Sequence, residues 1–172
     1  MKNDIALSRR GFMLKGLQLA ATGVAATLPV SLTYAAEGKE VFEIQRSVAE
    51  WKKLLTDKQY DVLREEATER PFTSPLLAEK RAGLFHCAGC DLPVYSSTTK
   101  YKSGTGWPSF YEPLANAIRT KEDRTFFSVR TEVHCRRCGG HFGHVFDDGP
   151  EPTGKRHCLN GVALTFKPGK TA

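Results

Sequence analysis

Nowhere in these 172 residues is there an apolar run long enough to be assigned a membrane span, nor any dense run of basic residues, and cysteine occurs only five times. The most apolar stretch, residues 16–30, is diluted by alanine, glycine and threonine and falls short of the ~20 residues a bilayer requires. The formal charge of +6 is concentrated at the start, where Lys2, Arg9, Arg10 and Lys15 face Asp4. Without residues 1–35 the balance drops from 25 basic against 19 acidic residues to 21 against 18. An excess of that size, with no basic cluster, argues against nucleic acid or a membrane surface as partner. An odd number of cysteines leaves one thiol without a partner of its own kind.

What is present begins with Ser8-Arg9-Arg10-Gly11-Phe12-Met13-Leu14-Lys15, which resembles a twin-arginine export signal. The mild apolar run follows, and Thr33, Ala35 and Ala36 offer a small-residue exit, with cleavage expected after Ala35. Residues 1–35 are therefore expected to be a signal peptide and 36–172 the working domain, released into the periplasm. That route, as the resemblance implies, carries proteins already folded. A metal domain would then load and close in the reducing cytoplasm before meeting an oxidising compartment.

Four cysteines form two matching knuckles, Cys87-x-x-Cys90 and Cys135-x-x-Cys138, a pattern suited to one zinc ion held by four thiolates. Two disulfides are the competing reading, but they give no reason for matched spacing. Cys135, Cys138, His141 and His144 could also form a metal set, at the cost of orphaning Cys87 and Cys90. Covalent haem fits less well, because neither knuckle is followed by histidine. A four-thiolate site is closed to water and substrate, so the zinc would be structural.

Two capping boxes, Ser47-x-x-Glu50 and Thr56-x-x-Gln59, predict two short helices. The first should bury Val48, Trp51, Leu54 and Leu55, and the second Tyr60, Leu63 and Ala67. From Gly83 onward, short apolar runs broken by Gly, Pro and Asp predict antiparallel strands. Alternation over residues 125–133 puts Phe127, Val129, Thr131 and Val133 on one face, with Ser128, Arg130 and Glu132 on the other. A final strand would align Arg156, Cys158, Asn160, Val162, Leu164 and Phe166, leaving the unpaired Cys158 at the mouth of the core between Arg156 and Asn160. A guanidinium at that place favours thiolate. The glycine-rich loop Ser103-Gly104-Thr105-Gly106-Trp107-Pro108-Ser109-Phe110 could present Trp107 as the wall of an apolar pocket.

These motifs, with His141-Phe142-Gly143-His144-Val145-Phe146 and Arg156-His157-Cys158-Leu159-Asn160, resemble in content and order the methionine-R-sulfoxide reductases over roughly residues 41–167. The resemblance implies a mainly β domain of two small antiparallel sheets, with short N-terminal helices and one structural zinc held by Cys87, Cys90, Cys135 and Cys138. It also implies reduction of the R epimer of methionine sulfoxide, free or in oxidised proteins. In that chemistry Cys158 attacks the sulfoxide sulfur as thiolate, while His141 and His144, expected to titrate near neutral pH, bind and protonate the departing oxygen. Trp107, Arg156 and Asn160 would bind the substrate. Many relatives carry a resolving cysteine where this chain has Thr105, and tyrosine where it has His157, whose opposite strand parity argues against a direct catalytic role. With no sixth cysteine, the Cys158 sulfenic acid is expected to be reduced by a thioredoxin-like or other external thiol. A monomer without a membrane span after processing completes the expectation.

Overall fold

The computed structural model describes residues 40–124 and 128–171. The leader expected over residues 1–35 lies outside the described residues, as does Phe127.

Both capping boxes form. Ser47 caps α1 (Val48–Leu54) and Thr56 caps α2 (Asp57–Glu65), each with the reciprocal bond from the third helical residue. The buried faces are narrower and differently placed than expected. Trp51 and Leu55 are buried, whereas Val48 and Leu54 are 60% and 53% exposed. A helix of seven residues touches its neighbours through about one turn, so only the positions nearest Trp51 are covered. In α2 the buried set is Tyr60, Val62 and Leu63, and Ala67 packs from beyond the helix end, where Glu66 takes a left-handed conformation.

The remainder is β. Strands β1 (Gly83–Cys87), β2 (Pro93–Ser96) and β9 (Leu164–Pro168) make an antiparallel sheet in the order β2-β1-β9. The second sheet contains β3 (Lys100–Tyr101), β4 (Ser109–Phe110), β5 (Ile118–Asp123), β6 (Arg130–Cys135), β7 (His141–Phe146) and β8 (Arg156–Leu159), in the order β3-β4-β8-β7-β6-β5. Phe85, Val94 and Tyr95 of the first sheet and Phe110, Val133, Phe142 and Leu159 of the second are completely buried. Phe85 meets the edge of Phe110 at 4.9 Å between ring centroids, a favourable aromatic geometry that joins the two sheets.

Two strand expectations are corrected. The single final strand is in fact β8 and β9, which belong to different sheets and are separated by a short 3-10 turn at Gly161–Ala163. In β8 the core face carries His157 and Leu159, while Arg156 and Cys158 face the other way. Asn160 has already left the strand. Over residues 128–133, the described part of the other stretch, the expected alternation likewise fails, and β6 starts at Arg130. Val129 is 64% exposed, Thr131 is exposed, and Glu132, expected on the polar face, is only 2% exposed. A register shift between Val133 and His134 breaks the alternation near the end of β6.

Candidate active site and metal centre

Cys87 ends β1 and Cys135 ends β6, so the two knuckles rise from different sheets. Their ligand atoms, with those of Cys90 and Cys138, all lie within 4.8 Å of one another. The Cys87–Cys138 and Cys90–Cys135 sulfurs are 3.7 and 3.5 Å apart, and all the cysteines are free thiols. Zn–S bonds of ~2.3 Å in a tetrahedron require sulfurs roughly 3.8 Å apart, so the donor set and its spacing fit zinc. Disulfide spacing, near 2 Å, does not describe either pair. Such an ion would clamp the two sheets together. Arg64 of α2 adds a hydrogen bond of 3.0 Å to the Cys138 carbonyl. His141 and His144 stand outside this cluster and are engaged elsewhere.

Cys158 lies in a row that crosses the whole larger sheet. Tyr101 opposes Ser109, Ser109 opposes Cys158, Cys158 opposes His144, His144 opposes Glu132 and Glu132 opposes Lys121. Directly opposed residues share a sheet face. Cys158 is partly exposed, and its sulfur lies 3.6 Å from the Thr105 hydroxyl. Ser103 steadies that hydroxyl, bonding Thr105 at 2.9 Å and Ser109 at 2.7 Å. Between the two histidines, Gly143 allows β7 to approach β8, because a Cβ there would meet the Cys158 carbonyl oxygen at 2.1 Å.

Arg156 shares the Cys158 side of β8. Its guanidinium makes two 2.8 Å bonds to Asp148 and sits 4.3 Å from the Phe146 ring centroid. Asp148, and more weakly the Cys158 sulfur, raise its already high pKa, so its charge is permanent.

Each histidine is held by a carboxylate. His141 Nδ1 lies 2.8 Å from Glu132, and His144 Nε2 lies 2.8 Å from Asp123, which also pairs with Arg130 at 2.6 Å. The two imidazole rings are 5.6 Å apart. The expectation of titration near neutrality is corrected for His141 by its burial. Desolvation pushes His141 down to about 4 and also lowers His144, although the hydrogen bond to Asp123 opposes it. Burial therefore disfavours the charged form of both rings.

Trp107 donates its indole N–H to the Glu69 carbonyl at 3.1 Å. Asn160 does not share the strand line of Cys158. It is buried, and its amide is spent on the Phe142 carbonyl at 3.0 Å and the Glu69 N–H at 2.9 Å. Glu69 also accepts from the backbone N–H groups of Gly161 and Val162, and so locks the turn that follows Cys158. A backbone carbonyl, a backbone N–H and a carboxylate of one residue thus hold both the indole loop and the chain beyond the thiol. His157 points to the opposite face, where Nδ1 is 3.0 Å from the buried Tyr95 hydroxyl.

Glu69, Asp123, Glu132 and Asp148 had no distinguishing signal in the sequence, since isolated acidic residues usually mark solvent. Only strand register brings Asp123 and Glu132 to the histidines. The adjacent Asp147-Asp148 pair after the histidine motif was the nearest thing to a clue.

Residues 55–168 match the SelR domain. The chain is 54% identical over 125 residues to "Peptide methionine sulfoxide reductase MsrB" of Methanosarcina barkeri, covering 72% of this chain and 88% of that protein. Proteins of the same description from Agrobacterium fabrum and Pseudomonas putida are 49% and 50% identical over 127 residues, covering 73% of this chain and 94% and 96% of theirs. The arrangement of a partly exposed thiol, carboxylate-backed imidazoles and a four-cysteine cluster therefore occurs in a chain that belongs to the SelR-domain family of MsrB-type peptide methionine sulfoxide reductases.

Proposed function

We propose that this protein reduces the R epimer of methionine sulfoxide, free or within oxidised proteins, with Cys158 as nucleophile. The observation that carries this reading is the sheet row that sets Cys158 opposite His144, with the paired imidazoles at its side. As the sulfoxide enters, the Cys158 thiol gives its proton to the imidazole pair. Glu132 and Asp123 stabilise the imidazolium so formed. The Cys158 thiolate attacks the sulfoxide sulfur while the imidazolium returns the proton to the oxygen. The hydroxyl then passes from the substrate sulfur to the Cys158 sulfur as the transient sulfur–sulfur bond breaks, and methionine leaves with Cys158 as sulfenic acid. One thiol is oxidised, one sulfoxide is reduced, and no net proton is consumed. Trp107 covers the S-methyl group, Arg156 holds a fixed positive charge beside the thiolate, and Asn160 positions the backbone around it.

The zinc, held by Cys87, Cys90, Cys135 and Cys138, supplies no chemistry beyond fixing the two sheets. Thr105 beside the nucleophile favours recycling by an external, thioredoxin-like thiol. We assign residues 1–35 as a cleaved twin-arginine leader and 36–172 as a periplasmic monomer, on the order of basic start, weak apolar run and small-residue exit. No helix among the described residues is long and apolar enough to cross a membrane. The experiment is turnover of the separated epimers with dithiothreitol. Activity on the R epimer alone, abolished in Cys158→Ser, is expected. Full activity in that variant would remove the nucleophile.

A further inference from the structure

Beneath His141 lies a second layer of charge that runs outward to the molecular surface. Glu132, 2% exposed, bonds His141 Nδ1 through Oε1 at 2.8 Å. Its other oxygen, Oε2, lies 2.8 Å from the Lys121 ammonium, outside hydrogen-bonding direction but within ion-pair range. Lys121 is half-exposed on the edge strand β5 and is held in turn by Glu66 at 2.6 Å, the residue that terminates α2. A carboxylate buried this deeply is retained at neutral pH only if its charge is answered, and here an ammonium answers on one side while an imidazole faces it on the other.

The geometry limits which nitrogen of His141 carries hydrogen. An ionised carboxylate only accepts, so Nδ1 must donate. The neutral ring then has its lone pair at Nε2. That atom is buried and finds no hydrogen-bond partner among the described residues. A buried acceptor without a partner marks a place kept for a donor that arrives with the reaction.

We infer that Glu132, anchored by Lys121, is a positioning residue that fixes His141 as its Nδ1–H tautomer and holds the imidazolium while Nε2 carries the reaction's proton. This deepens the function proposed above and rests on it, because the proton that Nε2 receives is the one leaving Cys158. The remaining charged or titratable groups facing His141 are His134 on β6, Asp123 on β5, Arg130, Glu66 at the end of α2 and His144 on its own strand. None of these has a hydrogen bond to Nδ1, which Glu132 engages. Lys121 is thus a cation that costs the imidazolium some stability directly and repays it by keeping Glu132 ionised.

Two variants separate this role from a merely structural one. Glu132→Gln keeps an acceptor for Nδ1–H but removes the charge, whereas Lys121→Met alters a half-exposed side chain and leaves Glu132 in place. Nitrogen-15 NMR of the full chain reads both the tautomer and the titration midpoint of His141 without any turnover. The expected result is an Nδ1–H tautomer in the wild type and a midpoint moved down in both variants, because without Lys121 the buried Glu132 takes up a proton and loses the charge that holds the imidazolium. Turnover of the R epimer should fall about tenfold to a hundredfold in kcat in Glu132→Gln, with KM little changed. A wild-type Nε2–H tautomer, midpoints shifted in neither variant, or wild-type kcat in Glu132→Gln would each overturn the inference. Should Glu132→Gln fail to fold, Lys121→Met alone decides: a lowered midpoint supports the anchored carboxylate, whereas an unchanged or raised midpoint shows that Lys121 does not hold Glu132 ionised and overturns the inference. If Cys158→Ser retained turnover, the proposed nucleophile would fail while the tautomer and midpoints still reported on Glu132.

Discussion

Thr105→Cys converts the position beside the nucleophile into an internal resolving thiol. The Thr105 hydroxyl is 3.6 Å from the Cys158 sulfur, so a sulfur there needs to move about 1.5 Å to reach disulfide length. Thr105 sits in a loop between Gly104 and Gly106, both at positive φ, which can absorb such a shift. The substitution loses the Thr105–Ser103 hydrogen bond, worth about 1 kcal/mol. Once the bridge forms, it closes a sequence separation of 53 residues, and the chain-entropy relation gives about 4 kcal/mol of stabilisation over the reduced form. The assay is one turnover of the R sulfoxide without reductant, then a 1,3-dicarbonyl probe for sulfenic acid and mass spectrometry of the unreduced protein. Wild-type protein should give the probe adduct. Thr105→Cys should give no adduct, a loss of two hydrogens in a peptide pair containing positions 105 and 158, and a thermal midpoint higher on the order of 10 °C than its reduced form. An intramolecular disulfide in the wild type would refute the argument, as would a variant that still accumulates sulfenic acid.

Metal analysis should find one zinc per chain, and a chelator strong enough to remove it should abolish cooperative unfolding, because the ion joins the ends of β1 and β6 from different sheets. Cys87→Ser should reproduce that loss, whereas a folded, metal-free Cys87→Ser protein with normal stability would contradict the clamp. His157 governs part of the acid lability: burial lowers it to about 4 in the folded chain, against about 6.5 unfolded. Between those pH values the unfolded chain binds a proton that the folded chain refuses, so stability is full above ~6.5 and falls by up to about 3 kcal/mol as pH drops towards 4. Denaturant titrations should show His157→Phe to be less stable at neutral pH, with the Tyr95 hydroxyl unpartnered, yet with a shallower acid slope. An unchanged slope would exclude His157 from the linkage.

The parts of this fold legible in the sequence are those governed by local rules. A capping box is a three-residue spacing, and both helix starts sit where Ser47 and Thr56 put them. The knuckles are likewise local, and their pairing follows from the count of thiols once one ion must satisfy all four. Strand faces were less legible, because alternation carries no information about where a strand ends. The turn at Gly161–Ala163 changes the phase between β8 and β9, so Leu164 belongs to the core while Cys158, of the same parity, faces the site. Glu132 and Asp123 read as solvent residues until register sets them against His141 and His144. Burial, which pulls His141 far from its ordinary titration range, is a property of the assembled sheets and has no signature in a histidine's immediate neighbours.

The central claim is that one cysteine carries the oxidising equivalent and that nothing within the chain removes it. A single-turnover measurement without reductant tests this most directly, counting methionine formed per chain from excess R sulfoxide. The account predicts a burst of one equivalent in the wild type, a stable sulfenic acid at Cys158 matching it in amount, and no burst in Cys158→Ser. Methionine formed by Cys158→Ser, or more than one equivalent from the wild type, would contradict it.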